Sequence, residues 1–373
     1  MKKYLIPAIS VLLIAAVISL VLCHKEKESY EFGSLLPLSG VVSVYGQMIQ
    51  RGQMMAVEDI YEEYGDRVKI TFFDTKHRMD VTLNRLIDAN NKGIKHIVEL
   101  LGSYQVEQCM NYAINHDMFI LSGFDDKYEL VEEGKGNFAR ILPSDAAVSQ
   151  EIIQWMEKEG VNNVEILYVN DAWGKAQLHL AQSMIEESSL NLVGVFDMKW
   201  NQPSFISTIA KMKAKKPDAV CLFIYPDDGG RFLKEARRQQ FTPGFYVSDN
   251  FNGENMNMIA QNDVVGVRMV VPSTHEENES YKKMAQKYIA KYNEEPTFFA
   301  LKGYDAVKVL YDILKRTGAT NLDSIKGTIK SGYSFTGVTG SIQFDDKGEF
   351  VVTSFDHVEF IPTENGIKTK LIK

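Results

Sequence analysis

Cysteine is scarce in this chain, with three residues, Cys23, Cys109 and Cys221, among 373. Cys109 and Cys221 each lie in an apolar segment and read as buried small hydrophobes, not reactive thiols. A disulfide between them stays open if the compartment is oxidising. Basic tracts are missing, which argues against a nucleic-acid partner. Low-complexity segments are missing too. No Gly-x-Ser-x-Gly elbow, P-loop or His-Glu-x-x-His pair is present. His77, His96, His116, His179, His275 and His357 are scattered, and none pairs with an acid at metal-ligand spacing. No metal, cofactor or enzymatic activity is therefore expected, and the chain reads as a binder.

The N-terminus is informative. Lys2 and Lys3 precede an almost wholly apolar run from Leu5 to Cys23, the pattern of an export signal. Three fates are open for residues 1–23. Cys23 is a lipidation candidate: Leu20 suits a lipoprotein pattern, although Leu22 departs from the small residue wanted before the cysteine. The run from Tyr4 to Cys23 is also long enough to remain as a membrane anchor. Ordinary cleavage is the third fate, without a clear small-x-small site. Residues 24–31 are charged and read as a tether. The expected location is extracytoplasmic, in the periplasm or on the outer face of the membrane, with an N-terminal anchor. Without Lys2 and Lys3, 39 basic residues face 49 acidic ones, a net charge of −10.

The remaining chain suits two lobes of ordinary size. Short apolar strands alternate with amphipathic helices. Strands fall near residues 32, 70, 96 and 119, and again near 166, 194, 221 and 246, with helical periodicity between them. This alternation predicts α/β architecture, two lobes with parallel sheets covered on both faces. Two further helices follow at 281–292 and 298–316, then strands at 338–344, 350–360 and 367–371. Residues 30–61 place a polar Pro/Ser/Gly loop between a buried strand and a helix, the position where open α/β sheets hold ligands.

Several short stretches carry a family resemblance. They are Leu36-Pro-Leu-Ser-Gly40 with Tyr45-Gly46, Ala139-Arg-Ile-Leu-Pro-Ser-Asp145, Asp171-Ala-Trp-Gly174, Lys216-Pro-Asp-Ala-Val220, Gly303-Tyr-Asp-Ala306, and Phe335-Thr-Gly-Val-Thr-Gly340 with Phe344-Asp-Asp-Lys-Gly348. In their order and spacing the chain resembles the type I periplasmic solute-binding proteins of ABC importers, the family of the leucine/isoleucine/valine-binding proteins, over roughly residues 30–360. The resemblance implies two Rossmann-like lobes joined by a three-strand hinge, with crossings near Pro143, Val271 and Gly340. Lobe one would hold residues 30–143 and 272–339, and lobe two residues 144–271 and 340–373. It also implies a small-molecule ligand in the cleft and an ABC permease as partner. A sensory receptor of the same fold is the alternative; it would normally carry a transmembrane segment and a cytoplasmic domain after the lobes, and the stretch up to Lys373 reads as strand.

On the lobe-one wall, Tyr45 matches a family aromatic that packs on the ligand's side chain. Gly102-Ser103-Tyr104 ends a strand and opens a helix. Its N–H groups and the Ser103 hydroxyl suit an anionic or carbonyl oxygen, and Ser103 also suits a helix cap. The segment Ser122-Gly-Phe-Asp-Asp126 departs from the family. Members that bind α-amino acids usually carry a Ser/Ala/Thr-rich turn here, whereas this chain has Phe124, Asp125 and Asp126. A carboxylate about 6 Å from a ligand carboxylate repels it by about 2.8 kcal/mol at an effective dielectric near 20. Either the aspartates turn away as caps, or the ligand has no carboxylate at this end. On the lobe-two wall, Trp173 and Tyr225 match cleft aromatics and Asp249 matches the acid that takes a ligand ammonium. Tyr45, Phe124, Trp173 and Tyr225 would form an aromatic box which, with Asp249 and Asp125 or Asp126, suits an amino-acid-like or amine-bearing ligand.

Overall fold

A computed structural model describes residues 28–40, 42–248, 251, 254–273, 278–318, 320–352, 354–364 and 366–372. The chain runs β1 (Ser29–Leu36), α1 (Ser43–Tyr64), β2 (Arg67–Asp74), α2 (Met79–Asn91), β3 (His96–Leu100), α3 (Ser103–Asn115), β4 (Phe119–Ser122), α4 (Leu130–Glu133) and β5 (Phe138–Arg140). It continues α5 (Asp145–Lys158), β6 (Asn163–Val169), α6 (Ala172–Glu186), β7 (Asn191–Met198), α7 (Ile206–Lys215), β8 (Ala219–Phe223), α8 (Pro226–Arg238), β9 (Gly244–Ser248), α9 (Glu254–Ala260) and β10 (Arg268–Pro272). Last come α10 (Glu279–Tyr292), α11 (Phe298–Thr317), α12 (Leu322–Lys330), β11 (Ser334–Gly337), β12 (Gly340–Gln343), β13 (Phe355–Thr363) and β14 (Gly366–Leu371).

The strands form two main sheets. The first is all parallel, in the order β2-β1-β3-β4-β5. The second has the order β14-β13-β10-β9-β8-β6-β7; β13 and β14 are antiparallel and the rest parallel. Each sheet is covered on both faces, as buried parallel strands require. In the first sheet Phe32, Val98 and Leu121 pack with α1 and α11, while Leu35, Ile97 and Ile120 pack with α2 and α3. In the second, Leu167, Leu222 and Val247 pack with α7 and α8, and Ile166, Phe223 and Tyr246 with α5 and α6. Each such side chain contributes about 1.5–3 kcal/mol by leaving water. Cys109 and Cys221 are free and buried in different cores, so no disulfide joins them.

Three details correct the expectations. The strand begins at Ser29, inside the anticipated tether, because Tyr30 is buried edge-on against Tyr311 at 5.3 Å. Each sheet has one strand that was not expected, β5 and β10, of three and five residues. The anticipated strand at 338–344 is a hairpin. Its turn is held by buried Asp305, which accepts from the N–H groups of Val338 and Thr339, both at 2.8 Å. Ile342 and Phe344 pack in the first sheet's core. The third passage between sheets therefore lies between Phe350 and β13, not near Gly340. There Ser273 N–H donates to Ser354 O at 3.0 Å, tying it to the second passage. Among the described residues no helix is long and apolar enough to cross a membrane. Cys23 lies outside the described residues.

Candidate ligand-binding site

Strand ends and helix starts of the two sheets supply two facing walls. On the first, Tyr45 sits in the opening turn of α1, not in the preceding loop. Its ring packs 4.8 Å from Phe299, which stacks 5.2 Å from Phe124; Phe298 meets Phe124 edge-on at 5.9 Å. Phe298 and Phe299 open α11, whose N-cap Thr297 accepts from Ala300 N–H at 3.3 Å. Neither phenylalanine was anticipated. The doublet after Pro296-Thr297, a helix-start signal, could have been found. Burial pushes the Tyr45 hydroxyl up to about 12, helped by Asp227 and Asp228 of α8, so Tyr45 faces the second sheet's helices.

Gly102 caps α3 with φ of 118°, a conformation that favours glycine. Its N–H donates to Asp125 Oδ1 at 2.8 Å. Ser103, the first helical residue, is not the cap; its hydroxyl donates to Asp126 Oδ1 at 3.3 Å. Tyr104 follows, half-buried; burial pushes its hydroxyl up to about 12, helped by Glu107, Asp171 and Asp145.

The two adjacent aspartates part company. Asp125 is fully buried and turned inward. Ser122 Oγ lies 2.8 Å from Asp125 Oδ2 and 2.9 Å from Glu99 Oε1, and Gly123 N–H donates to Glu99 Oε2 at 2.7 Å. A hydroxyl has one proton to give, so the two carboxyls cannot both be anions. Burial pushes Glu99 up to about 7 and Asp125 well above its usual range. Asp125 thus ties β3, β4 and α3 together and does not line the cleft. Asp126 remains half-buried at the wall, with the Trp173 indole near it on the far side of the gap.

On the second wall, Asp171 caps α6. Its Oδ1 accepts from Gly174 N–H at 2.9 Å and its Oδ2 from the Tyr225 hydroxyl at 2.8 Å. Trp173 and Tyr225 are stacked with centroids 5.3 Å apart, and Trp200, also unanticipated, lies 6.0 Å from Tyr225. His77 faces Asp171 from the first sheet's side; burial lowers its basicity and Asp171 opposes that. Asp145, the first residue of α5, is 3% exposed. Burial pushes it up to about 8, with Asp126 adding to the shift. Asp249 lies outside the described residues. Among the described residues no three His, Cys, Asp or Glu side chains gather as a metal site.

Comparisons with known proteins agree with this architecture. The family model described as periplasmic binding protein matches residues 29–360. The leucine-, isoleucine-, valine-, threonine-, and alanine-binding protein of Pseudomonas aeruginosa is 19% identical over 345 residues, covering 90% of each chain. A branched-chain amino acid transporter substrate binding protein of Streptococcus pneumoniae, solved with isoleucine, superposes with a TM-score of 0.80 at 21% identity, covering 93% of this chain and 100% of that one. A solute binding protein of an ABC transporter from Rhodopseudomonas palustris, solved with 3,4-dihydroxy benzoic acid, reaches 0.83 at 17% identity, covering 92% and 96%. The model match spans most of this sequence: the chain belongs to the periplasmic binding protein family.

Proposed function

We propose that this protein is the extracytoplasmic receptor of an ABC importer, held at the membrane by its N-terminus, lipidated at Cys23 or retained as an anchor, and delivering a small amino-acid-like or amine-bearing solute to a permease. The solute enters between the two sheet units, its binding stabilises the closed arrangement, and that arrangement docks on the permease. One observation carries this reading: Trp173 and Tyr225, stacked 5.3 Å apart on one wall, face the Asp126 carboxyl and Tyr104 on the other. Tyr45, Phe124, Trp173 and Tyr225 form the apolar sides of the site, Ser103 and Tyr104 its polar edge, and Asp249 an acid on the far rim. Relatives named for branched-chain amino acids and a structural neighbour solved with an aromatic acid support a solute of this size.

The test is a thermal-shift screen of the full chain against amino acids, polyamines, amides, short peptides and aromatic acids. A solute at a hundred times its Kd adds about 2.7 kcal/mol of stability, so the midpoint should rise by a few degrees. A midpoint unmoved by every member of the panel refutes the reading.

A further inference from the structure

We propose that the hinge-side end of the cleft is a subsite for an organic cation, formed by the carboxyl groups of Asp126 and Asp145, so that the solute is an ammonium or guanidinium compound presenting no carboxylate to this wall. The inference rests on the solute-receptor reading and names the ligand class for it.

The two aspartates are held as a pair although nineteen positions separate them in the chain: Asp145 N–H donates to Asp126 O at 2.9 Å. Asp145 directly follows the first passage between the sheets. Its Oδ1 accepts from Ala146 N–H at 2.8 Å. Its Oδ2 is buried and has no hydrogen-bond partner among the described residues. A buried carboxyl oxygen without a donor is costly, and such an oxygen marks a place where a donor is expected from outside the chain.

The nearby donors are spent elsewhere. Arg140 is fully buried, with Nε on Glu349 Oε1 at 2.7 Å, Nη1 on the carbonyls of Lys127 at 2.8 Å and Asp125 at 3.2 Å, and Nη2 on Tyr128 O at 3.2 Å and Glu349. Lys127 reaches Glu107 at 2.8 Å. The Ser103 hydroxyl goes to Asp126, and the Trp173 indole lies near the same carboxyl. The charged groups facing the pair are Arg140, Glu129 and Asp125, with Asp171 beyond Tyr104. Acids outnumber the single engaged guanidinium, so an incoming carboxylate meets repulsion where an ammonium meets two acceptors. The aromatic faces of Phe124, Trp173 and Tyr225 suit the same charge.

The experiment uses the full chain and probes matched in shape but not in charge: benzylamine, benzamide and benzoate, with agmatine, putrescine and leucine alongside. Binding is read by thermal shift and then calorimetry. The expected result is binding by one or more of the carboxylate-free cations, tightening as pH rises toward 8 and Asp145 ionises. Asp126→Asn and Asp145→Asn should each weaken that binding at least tenfold, without lowering the melting point of the free protein, since burial already disfavours ionisation of both carboxyls and the amide keeps their shape. Binding of benzoate or leucine that Asp145→Asn leaves unchanged overturns the cation subsite and leaves the receptor reading standing. Cation binding that neither variant weakens overturns the subsite as well.

Discussion

Arg140, at the end of β5, forms an ion pair with Glu349, 209 residues further along the chain. The guanidinium also holds the carbonyls of Asp125, Lys127 and Tyr128, which shape the loop ahead of the first passage between sheets. One side chain thereby fixes the Asp125–Asp126 loop to the segment that precedes the third passage. Arg140→Met should cost about 3–5 kcal/mol, because it strands a carboxylate and three carbonyls. Glu349→Gln, at a partly exposed position, should cost nearer 1 kcal/mol. Urea denaturation midpoints compare the two; equal losses would mean that the carbonyl contacts contribute little.

The Trp173 indole stacks on Tyr225 and lies near the Asp126 carboxyl of the facing wall. Trp173→Ala should weaken solute binding by about 2–4 kcal/mol through lost buried contact. The melting point of the free protein should hardly change, since the ring lies at the wall and outside the fully buried core. Trp173→Phe keeps much of the area and loses the N–H, so it should recover part of the affinity. Calorimetry on the solute found by screening checks both. Native affinity in Trp173→Ala would remove this residue from the site.

Much of the fold was legible because burial on both faces leaves a strong mark: apolar strands and amphipathic helices alternate from β1 to β9. The three-residue β5 was not, being too short to carry a period of its own, and neither was β10. The hairpin at 334–343 depends on Asp305, some thirty positions away, and local sequence is silent about such a partner. The family resemblance holds over residues 29–360. At the site, Asp125 and Asp126 look alike in sequence; only the approach of Glu99, Ser122 and Gly102 turns one inward and leaves the other at the wall. Tyr45 joins Phe124 through Phe299, a residue whose place in the cleft comes from the long-range packing of α11 on α1.

Glu165 on β6 is fully buried, and neither carboxyl oxygen has a hydrogen-bond partner among the described residues. Burial pushes its carboxyl up to about 7, only partly opposed by Lys215. An acid whose folded-state pKa is raised keeps its full contribution to stability below the unfolded value near 4.5. That contribution is lost as pH climbs through the folded value. Glu165→Leu removes this dependence. Its stability relative to the native chain should therefore grow by up to about 3 kcal/mol between pH 4.5 and 7. Denaturation at a series of pH values measures the difference; a constant offset across that window would show that Glu165 does not titrate there.

Gly52 marks a close approach of α1 to α11. A Cβ at Gly52 would lie 1.9 Å from Ala300 O, and at Gly303 on the facing helix 2.7 Å from Ile49 O. Both obstacles are backbone atoms, so relief requires the helices to move apart. That crossing buries Met55, Ala56 and Val307 in the first sheet's core and sets the start of α11, where Phe298 and Phe299 stand. Gly52→Ala should therefore cost about 1–3 kcal/mol or more and also weaken solute binding by displacing Phe299 from Tyr45. Gly327 gives the control. It lies inside α12 with open space around a would-be Cβ, so Gly327→Ala should gain about 0.5–1 kcal/mol by favouring the helical backbone. Opposite signs for these two substitutions in urea denaturation, with affinity reduced only in Gly52→Ala, would tie the aromatic wall to the helix crossing. Equal effects would separate them.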